Sequence, residues 1–535
     1  MTRPLFLLIY PEVPATYWSY KHALPFIGKR AVMPPLGLAT IAAMIPQEYE
    51  CRIIDLNVER LPDGLLSRAD LVLISAMIVQ ATSMRRLIDR CRRAGVAVAA
   101  GGPYPTSCHG DIPGVDHFIL GEAEIAFPRF LDDFARGAAL PLYRCDERPE
   151  LGAVPVPRFD LLKLHLYDSI PLQFSRGCPF DCEFCDIVHL FGRKARTKAP
   201  EQFLAELDAA YATGFRGSLF IVDDNFIGNR RAVKALLQAI VGWQRRHGYP
   251  FHLSTEASVD LAADTELLDL MQAARFGMVF VGIETPDPES LDRMGKHQNL
   301  RADVATSVRL IQERGIEVTG GFIVGFDSDP PNIFDLQIRY IDELAIPTAM
   351  MGLLMALPNT RLYERLRREG RLIGASSGNN THDGTLNFRT TMDPDVLRAG
   401  YYRMLQTIYE PRRYFARCLE LLSRFPEQED SGRLGRSIRL REILGLVSSL
   451  VRQVGSTYSL HYLRYMRRAV RARPDQIVRI VTFAIIGHHY FTITRAILRR
   501  NAAVERRNRH LAHRLARAES RDRMETLVGQ PAPAE

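Results

Sequence analysis

The sequence predicts an α/β protein with a doubly wound Rossmann-like domain, a partial (β/α)6 barrel and a helical C-terminal region. Short apolar segments alternate with helix-length segments twice along the chain, first before residue 140 and again within residues 171–362. Such alternation is typical of parallel sheets covered by helices. A stretch with four prolines and little periodicity separates the two series. Beyond residue 362 the apolar residues recur with helical spacing.

Five strand candidates form the first series. They are Leu5–Tyr10, Cys51–Asp55, Leu71–Ser75, Val96–Ala99 and His117–Leu120. Doubly wound sheets bind ligands beyond the carboxyl ends of their strands, and glycines there let the backbone approach a flat ligand closely. The candidate binding residues at these ends are Asp55, Asn57, Ser75, Gly101, Gly102, Gly121 and Glu122. Ordinary turn formation is the alternative explanation for the glycines.

Six strand candidates form the second series. They are Leu172–Phe174, Leu219–Val222, His252–Glu256, Met278–Glu284, Glu317–Gly325 and Ala349–Leu354. Six βα units predict a partial parallel barrel, and the active site of such a barrel lies at the carboxyl ends of its strands. A loop with three cysteines directly follows the first of these strands, so it occupies the position where the fold places its chemistry.

The three cysteines, Cys178, Cys182 and Cys185, have C-x3-C-x2-C spacing. A [4Fe–4S] cluster normally takes four thiolates, so a set of three either has its fourth ligand elsewhere or leaves one iron open to a small molecule. A zinc site would pair C-x2-C with a second pair of ligands, and no such pair follows. Three buried structural cysteines are the other alternative, although the neighbouring Gly177 and Pro179 favour an exposed loop.

Composition restricts the class of protein and its location. The chain has 535 residues, of which 24% are charged and eight are cysteine. These values are typical of a multidomain globular protein without a disulfide framework. The apolar run Leu5–Tyr10 is too short for a signal sequence, so we expect a cytoplasmic protein. The run Ile480–Gly487 is far shorter than the roughly 20 residues of a membrane span, so we expect no span there.

Positive charge is concentrated near the C-terminus. Residues 431–523 contain 21 arginines, no lysine and five acidic residues, about +16, whereas the rest of the chain carries about −8. Apolar and arginine residues are interleaved from Leu440 to Arg500, as in amphipathic helices that lie on anionic lipid. A solvated basic face over a helical core is the alternative. Nucleic acid is not favoured as a partner, because the region lacks an aromatic-interleaved platform.

Five segments follow from these patterns. They are residues 1–140 (Rossmann-like domain), 141–170 (linker), 171–362 (partial barrel), 363–430 (mixed accessory region) and 431–535 (arginine-rich helical region). Polar breaks at 376–383 and 427–435 interrupt the last two segments.

The cysteine loop resembles the signature of the radical S-adenosylmethionine (SAM) superfamily, in which SAM chelates the open iron of a [4Fe–4S] cluster. In that superfamily an aromatic residue precedes the last cysteine, and the element after the second strand binds the SAM amino group. Elements at later strand ends contact the ribose, as implied for Glu284, and the adenine. The SAM-binding residues that the resemblance implies are Phe184, Asp223, Asp224, Asn225, Glu256, Glu284, Gly321 and Gly325. Taken singly, such carboxylates are equally compatible with capping the next helix.

The N-terminal domain resembles the cobalamin-binding domain that precedes many radical SAM domains. Cobalamin domains that ligate cobalt through histidine carry D-x-H-x-x-G, and the equivalent run here is Asp55-Leu56-Asn57-Val58-Glu59-Arg60. Asn57 replaces the histidine and Arg60 the glycine, so we expect no histidine ligand on cobalt. The glycines at 101, 102 and 121, together with Glu122, lie where cofactor loops fall in this family, which implies that cobalamin binding is retained.

Over roughly residues 1–420 the chain resembles cobalamin-dependent (class B) radical SAM methyltransferases, and in particular relatives of the hopanoid C-2 methylase group. Residues 177–187, 222–229, 282–288 and 356–360 carry this resemblance. It implies a C-methyltransferase that acts on an unactivated carbon of a small molecule, for which a lipid or other hydrophobic compound is a candidate.

The same resemblance implies a flavodoxin- or ferredoxin-type electron donor, and hydrogen-atom abstraction needs no general-base residue. A hydrophobic substrate would suit peripheral contact of the C-terminal region with the inner face of the membrane. Two alternatives stay open at this point. One is a cobalamin-associated radical SAM cyclase or oxidoreductase without methyl transfer, and the other is an RNA-modifying or RNA-binding protein.

Overall fold

The computed structural model describes residues 3–145, 147–381, 384–427 and 440–528. These residues form two six-stranded parallel sheets, a small antiparallel pair of strands and a helical C-terminal region. The predicted α/β class, with a doubly wound domain before a partial barrel, is confirmed.

The first sheet has the strand order β2-β1-β3-β4-β5-β6 and is parallel throughout. Its strands are β1 (Leu5–Tyr10), β2 (Glu50–Asp55), β3 (Leu71–Ser75), β4 (Ala97–Gly101), β5 (His117–Leu120) and β6 (Leu142–Arg144). Its helices are α1 (Leu36–Met44), α2 (Asp63–Leu66), α3 (Ala81–Arg93), α4 (Pro103–Cys108) and α5 (Ala123–Ala135). The predicted linker therefore contributes a sixth strand, because β6 pairs with β5.

Alternating side chains of β1 enter two separate cores. Leu5 and Leu7 pack on the face covered by α3, whereas Phe6 and Leu8 pack on the face covered by α1 and α5. Both faces are thus buried, as expected for a parallel sheet. The strand order reverses between β1 and β3, so a ligand crevice is expected at the carboxyl ends of these two strands.

The second sheet has the order β14-β13-β12-β11-β10-β7, and its end strands do not pair, so the barrel is partial. The strands of this part of the chain are β7 (Ser169–Leu172), β8 (Ser175–Arg176), β9 (Arg196–Thr197), β10 (Gly217–Ile221), β11 (Phe251–Ala257), β12 (Phe276–Glu284), β13 (Glu317–Val324) and β14 (Ala349–Leu353). The helices are α6 (Ile187–Phe191), α7 (Pro200–Ala212), α8 (Arg230–Arg246), α9 (Thr265–Ala273), α10 (Pro288–Arg293), α11 (His297–Arg301), α12 (Val304–Gln312), α13 (Ile333–Glu343) and α14 (Arg361–Arg368).

The first barrel strand ends earlier than predicted. Strand β7 stops at Leu172, although the apolar pattern suggested a strand over residues 172–174. The backbone amides of Phe174 and Ser175 donate to the carboxylate of Asp223 at 2.8 Å instead of continuing the sheet. The chain therefore turns at this point and enters the cysteine loop.

Five helices complete the chain: α15 (Pro394–Ile408), α16 (Pro411–Arg424), α17 (Leu440–Val454), α18 (Ser459–Ala472) and α19 (Ile477–Val528). Helix α15 covers the edge of the barrel sheet, where Tyr401 and Tyr409 donate to carbonyl groups of β14. Helices α15, α16, α18 and α19 share one hydrophobic core with the barrel. The predicted boundary at residues 430/431 lies outside the described residues.

Within the described residues, one helical stretch, Pro474–Ala503, is long and apolar enough to cross a membrane by length and composition alone. The apolar stretch is therefore longer than the predicted run Ile480–Gly487, because the neighbouring turns of the helix are also apolar. Of its most apolar window, 61% is buried inside the protein, and Tyr490 and Phe491 lie in the core shared with the barrel. The helix packs as a core helix.

Candidate active site

The carboxyl ends of the two sheets face each other across a buried ion network. Arg176, which ends β8, donates to Glu122 and Glu124 at 2.7 Å each. Arg196 donates to the other oxygen of Glu122 at 2.5 Å. The side chains of all four residues are at most 11% exposed. Because Glu122 and Glu124 follow β5 and Arg176 precedes the cysteine loop, the network ties the first domain to that loop.

Two further contacts join the same edges. The side-chain amide of Asn359, beyond β14, lies 3.5 Å from the carbonyl oxygen of Ser107 in α4. Gly378 lies directly against Ile78, which follows β3, and leaves no room for a Cβ. The space between the two sheets is therefore the candidate active site.

The cysteine loop is held by its own backbone and by α14. Gly177 has a φ of +95°, and a Cβ there would lie 2.7 Å from the carbonyl oxygen of Lys194, so this position requires glycine. Glu183 donates its backbone amide to Met294 at 2.8 Å. Its carboxylate accepts from Arg365 of α14 at 2.6 Å. The loop conformation is thus fixed by groups on three elements.

The thiols of the three cysteines fit a multi-iron cluster better than a single ion. Burial raises the pKa of Cys178, Cys182 and Cys185, so the neighbouring protein charges alone do not stabilise three thiolates there. The side-chain amide of Asn225 lies 4.0 Å from Cys178 Sγ. Within the described ranges, no group of three His, Cys, Asp or Glu residues is arranged to hold one metal ion. Thiolates at the corners of a cubane cluster need not converge on one point.

Three carboxylates lie beside this loop at the ends of β10 and β11. Asp223 is fully buried and accepts from the backbone of Phe174 and Ser175, so it fixes the start of the loop. Asp224 accepts from the Gly177 amide at 3.2 Å. Among the described residues, none forms a hydrogen bond with the Glu256 carboxylate. Burial, reinforced by mutual repulsion, raises the pKa of Asp224 to about 7 and of Glu256 to about 8.

This acidic group fits a cationic ligand. No cation of the described residues pairs with the carboxylate of Asp224 or Glu256, and a ligand with an ammonium or sulfonium group, such as SAM, would supply the missing positive charge. Burial also raises the pKa of Asp223 to about 6, although three hydrogen bonds from Phe174 and Ser175 oppose the shift. The hydrogen bonds of Asp223 thus go to the loop, and contacts of Asp223, Asp224 and Glu256 with SAM stay predictions.

We expect the Glu256→Gln variant to be more stable than the parent at pH 8 and equal to it near pH 4, in protein without SAM. The pKa of Glu256 rises from 4.5 to about 8 on folding, so the free energy of unfolding falls as the pH rises through that window. Allowing for partial exposure, the variant should gain roughly 2 kcal/mol at pH 8. Urea unfolding at the two pH values measures this gain, with the exposed Glu313→Gln variant as control. Equal unfolding free energies of the Glu256→Gln variant and the parent at pH 8 would contradict the prediction.

Glu284 ends β12 in an unusual conformation. Its φ is +64°, in the left-handed region that non-glycine residues seldom adopt. Its carboxylate accepts from Lys296 at 2.5 Å, and both side chains are buried. A ribose contact for Glu284 stays a prediction, and the structure adds Lys296 as its partner.

The other predicted SAM residues lie around the same end of the barrel. Phe184 packs with Phe326 and the cluster of apolar side chains beyond β13. Gly321 faces Phe280, whose ring would lie 2.8 Å from a Cβ, and the Gly325 amide donates to Asp329 at 2.6 Å. These residues are brought together, and their contacts with SAM stay predictions.

The edge of the first domain contains the residues predicted for cobalamin. The Asn57 side chain donates to Asp55 at 2.6 Å and accepts from the Val13 amide at 2.8 Å, so it closes a loop of the protein itself. Asp55 also accepts from the Tyr167 hydroxyl at 2.8 Å. Asn57, which stands where the histidine of D-x-H-x-x-G would be, is thus engaged in contacts within the protein, and the expectation of no histidine ligand on cobalt stays a prediction.

The glycines of this edge are explained by close packing. A Cβ on Gly101 would lie 2.9 Å from the Ile119 carbonyl oxygen, and one on Gly102 would lie 2.6 Å from Ser75 Oγ. Gly121 has a φ of +81°. Met77, just beyond β3 at the crevice, is 42% exposed, and an exposed apolar side chain there fits a large flat ligand such as cobalamin. Direct cofactor contacts of Gly101, Gly102, Gly121 and Ser75 stay predictions.

Sequence patterns did not reveal several residues of the site. Both carboxylate oxygens of Glu122, predicted for cobalamin, are taken by Arg176 and Arg196. Neither arginine lies in a pattern that points to a partner more than 50 residues away. Trp18 packs on Phe280 of the barrel with ring centres 5.1 Å apart, and an isolated tryptophan before the first helix carries no signal of that contact.

Comparisons with known proteins agree with this arrangement. Family models described as B12 binding domain, Radical SAM superfamily and Domain of unknown function (DUF4070) match residues 30–131, 172–335 and 360–503. The chain is 33% identical over 509 residues to the hopanoid C-2 methylase of Rhodopseudomonas palustris, and the alignment covers 93% of this chain and 94% of that enzyme. The chain belongs to the cobalamin-dependent radical SAM methyltransferase family. Its cofactors are therefore a [4Fe–4S] cluster, SAM and cobalamin, as predicted.

Other members of this family extend the likeness. An uncharacterized methyltransferase of Synechocystis sp. is 46% identical over 413 residues, 77% of each chain. The fold is similar to that of the radical SAM methyltransferase TsrM of Kitasatospora setae, solved with cobalamin and a [4Fe–4S] cluster. That similarity has a TM-score of 0.60 at 17% identity over 88% of this chain and 100% of that one. The likeness extends beyond the predicted residues 1–420, since the Rhodopseudomonas enzyme covers most of the arginine-rich region as well. A small-molecule substrate agrees with membership of this methyltransferase family, and the cytoplasmic location stays a prediction.

Proposed function

We propose that this methyltransferase alkylates an unactivated carbon of a hydrophobic molecule, and that the molecule is a lipid. The observation that carries the proposal is the apolar inner wall of the barrel beside the acidic group. Val279, Val281 and Ile283 of β12 are completely buried in the hydrophobic core, whereas Met278 and Phe280 are only partly buried. Because successive side chains of a strand point to opposite faces, Met278 and Phe280 lie on the other face of the sheet, toward the barrel interior.

The apolar wall and the acidic group are neighbours. Phe280 is paired in register with Glu256 of β11, and side chains of directly paired residues in adjacent strands lie on the same face. Trp18 covers Phe280 from the N-terminal segment and is itself 45% exposed. A hydrophobic substrate packed on Trp18 and Phe280 would therefore lie next to the SAM position. The lipid-methylating relative from Rhodopseudomonas supports the same substrate class.

The residues of the chain have distinct roles in this proposal. Cys178, Cys182 and Cys185 would hold the cluster, Asp224 and Glu256 the cationic part of SAM, and the edge beyond β3 the cobalamin. When bound, these groups supply a carbon-centred radical and a methyl group. The protein positions the substrate carbon and excludes water, since a reactive radical has to meet only its intended partner. A flavodoxin- or ferredoxin-type protein is the proposed electron donor.

Anaerobic assay of the reconstituted enzyme tests the reaction. With SAM labelled in its methyl group and a membrane-lipid extract as substrate, we expect 5′-deoxyadenosine, S-adenosylhomocysteine and label in the lipid fraction. Formation of 5′-deoxyadenosine without label in any product would favour the cyclase or oxidoreductase alternative. Label in copurifying RNA would favour the nucleic-acid alternative.

We expect the Trp18→Ala variant to lose roughly 30-fold in kcat/KM, mainly through a higher KM. The indole contributes apolar area to the proposed substrate wall, and removing it forfeits about 2 kcal/mol of binding. Trp18→Phe retains an aromatic ring and should recover most of this loss. The contrary outcome is that Trp18→Ala and Trp18→Phe lower the formation of 5′-deoxyadenosine equally when no substrate is present. Trp18 would then only support the fold.

We also propose that the enzyme is cytoplasmic and touches the inner face of the membrane through its C-terminal region. A lipid substrate requires access to a bilayer. The arginine-rich composition of residues 431–523 supports an anionic surface as partner.

A further inference from the structure

Helix α17 exposes a stripe of apolar residues on its outer face and buries polar residues on its inner face. The outward stripe, spaced as i, i+3, i+4 and i+7, consists of Val447, Leu450, Val451 and Val454. These four side chains are between 39% and 72% exposed. On the opposite face, Ser449 and Gln453 are completely buried. A helix that packs only on a protein core shows the opposite pattern.

Hydrogen bonds fix this orientation of the helix. The Ser449 and Tyr462 hydroxyls lie 3.2 Å apart, so α17 is joined to α18. The side-chain amide of Gln453 donates to Ser449 at 2.8 Å, and its oxygen accepts from the Tyr458 hydroxyl at 3.3 Å. The inner polar groups are therefore satisfied, and rotating α17 to bury the valines would leave Ser449 and Gln453 without these partners.

Helix α18, which contacts α17, also exposes apolar side chains and adds positive charge. Leu460 and Leu463, in its first turns, are 67% and 44% exposed. Residues 443–472 contain five arginines and no lysine, aspartate or glutamate. The arginines are Arg452, Arg464, Arg467, Arg468 and Arg471, all exposed. None of them forms an ion pair with a described residue.

We propose that this surface docks on an anionic lipid bilayer. The docking face is defined here as the stripe of α17 with Leu460 and Leu463, flanked by the five arginines. Apolar side chains with neighbouring arginines suit the boundary between acyl chains and anionic headgroups. A second copy of the chain is a poorer occupant, since a twofold dimer through this face would bring the same positive charges together.

The docking face is connected to the proposed substrate wall. The guanidinium group of Arg452 lies over the Phe26 ring, 5.0 Å from its centre. Phe26 belongs to the short helical turn Leu24–Ile27, which closely follows the turn Tyr17–Ser19 that carries Trp18. The segment that contains both Phe26 and Trp18 would thus connect lipid at the docking face with the barrel interior. The inference rests on the proposed function, because it names the surface through which a lipid-methylating enzyme meets its membrane.

Flotation of the intact protein with vesicles tests docking without any substrate. We expect the parent to float with vesicles of phosphatidylglycerol and phosphatidylcholine, and to stay behind with phosphatidylcholine alone. The variant Val447→Ser/Leu450→Ser/Val451→Ser should reduce the floated fraction at least about tenfold, and replacement of Arg464, Arg467, Arg468 and Arg471 by glutamine should do the same. Leu140→Ser/Val396→Ser removes equally exposed apolar side chains elsewhere and should float like the parent.

Two outcomes would overturn the inference. One is equal recovery of the parent and the serine variant in the soluble fraction, with unchanged thermal unfolding. The other is a parent dimer in solution that the serine variant abolishes, which would show that a second copy covers the face. Because flotation measures no catalysis, a protein that floats but transfers no methyl group to lipid would contradict the proposed function alone. A protein that methylates dispersed lipid but does not float would contradict docking alone.

Discussion

We expect the Cys182→Ala variant to form no 5′-deoxyadenosine from SAM, with a decrease of at least about 100-fold. Even the loss of a residue that only orients a metal ligand lowers metal affinity about 10–100-fold, and Cys182 is one of only three predicted ligands. In the sequence, Cys182 lies between Cys178 and Cys185, in a loop whose conformation is fixed by Gly177 and Glu183. No other cysteine is available in that loop to replace it.

Iron and sulfide content, visible absorbance and the yield of 5′-deoxyadenosine measure this effect together. Cys51→Ala is the control, because Cys51 is also partly buried but is the second residue of β2, at the opposite end of the first sheet from the site. It should retain the cluster and the activity. A Cys182→Ala protein that still cleaves SAM at the parental rate would refute the assignment of the cluster.

The alternation of apolar segments predicted most of the fold. Strands β1, β3 and β5 coincide with the segments foreseen from hydrophobic runs, because a buried parallel strand needs a continuous apolar stretch. Strand β7 was displaced because Asp223, 49 residues away from Phe174, takes the amides that would have continued it. Short strand β6 was missed, since three residues with one buried side chain have no detectable period.

The site could be predicted where neighbouring residues share one function, and not where it depends on distant pairs. The cysteines and Asp223-Asp224-Asn225 are adjacent in sequence, so their spacing carries information. The roles of Arg176, Lys296 and Trp18 depend on partners on other elements, and a single sequence contains no signal of those pairings. A single sequence likewise does not show which face of α17 packs on the protein. Its composition showed an amphipathic helix, but only Ser449 and Gln453 show which side is covered.

We expect the Arg176→Met variant to lose about 3–5 kcal/mol of unfolding free energy, because removing one partner of a buried ion pair leaves uncompensated charge. Arg176 is the only described cation that donates to Glu124. Burial is the largest influence and would by itself raise the pKa of Glu124, but the hydrogen bond and the charge of Arg176, with smaller contributions from a backbone hydrogen bond and Lys198, together outweigh it and the pKa is lowered. This stabilisation is present above the unfolded pKa and is lost as the pH falls through the folded one. The loss in the variant should therefore be larger at pH 7 than at pH 3.

Arg176 directly precedes the cluster loop and binds Glu122 and Glu124 of the cobalamin domain. Its loss should therefore uncouple SAM cleavage from methyl transfer. We expect 5′-deoxyadenosine to form with less methylated product per molecule of it, because the two sheet edges are no longer held in register. The double variant Arg176→Met/Glu124→Gln removes the stranded carboxylate and should regain part of the stability but not the coupling. Arg158→Met breaks an exposed pair with Asp160 and should change stability by less than about 1 kcal/mol. If Arg176→Met behaved like Arg158→Met in both measurements, the network would have no part in holding the domains together.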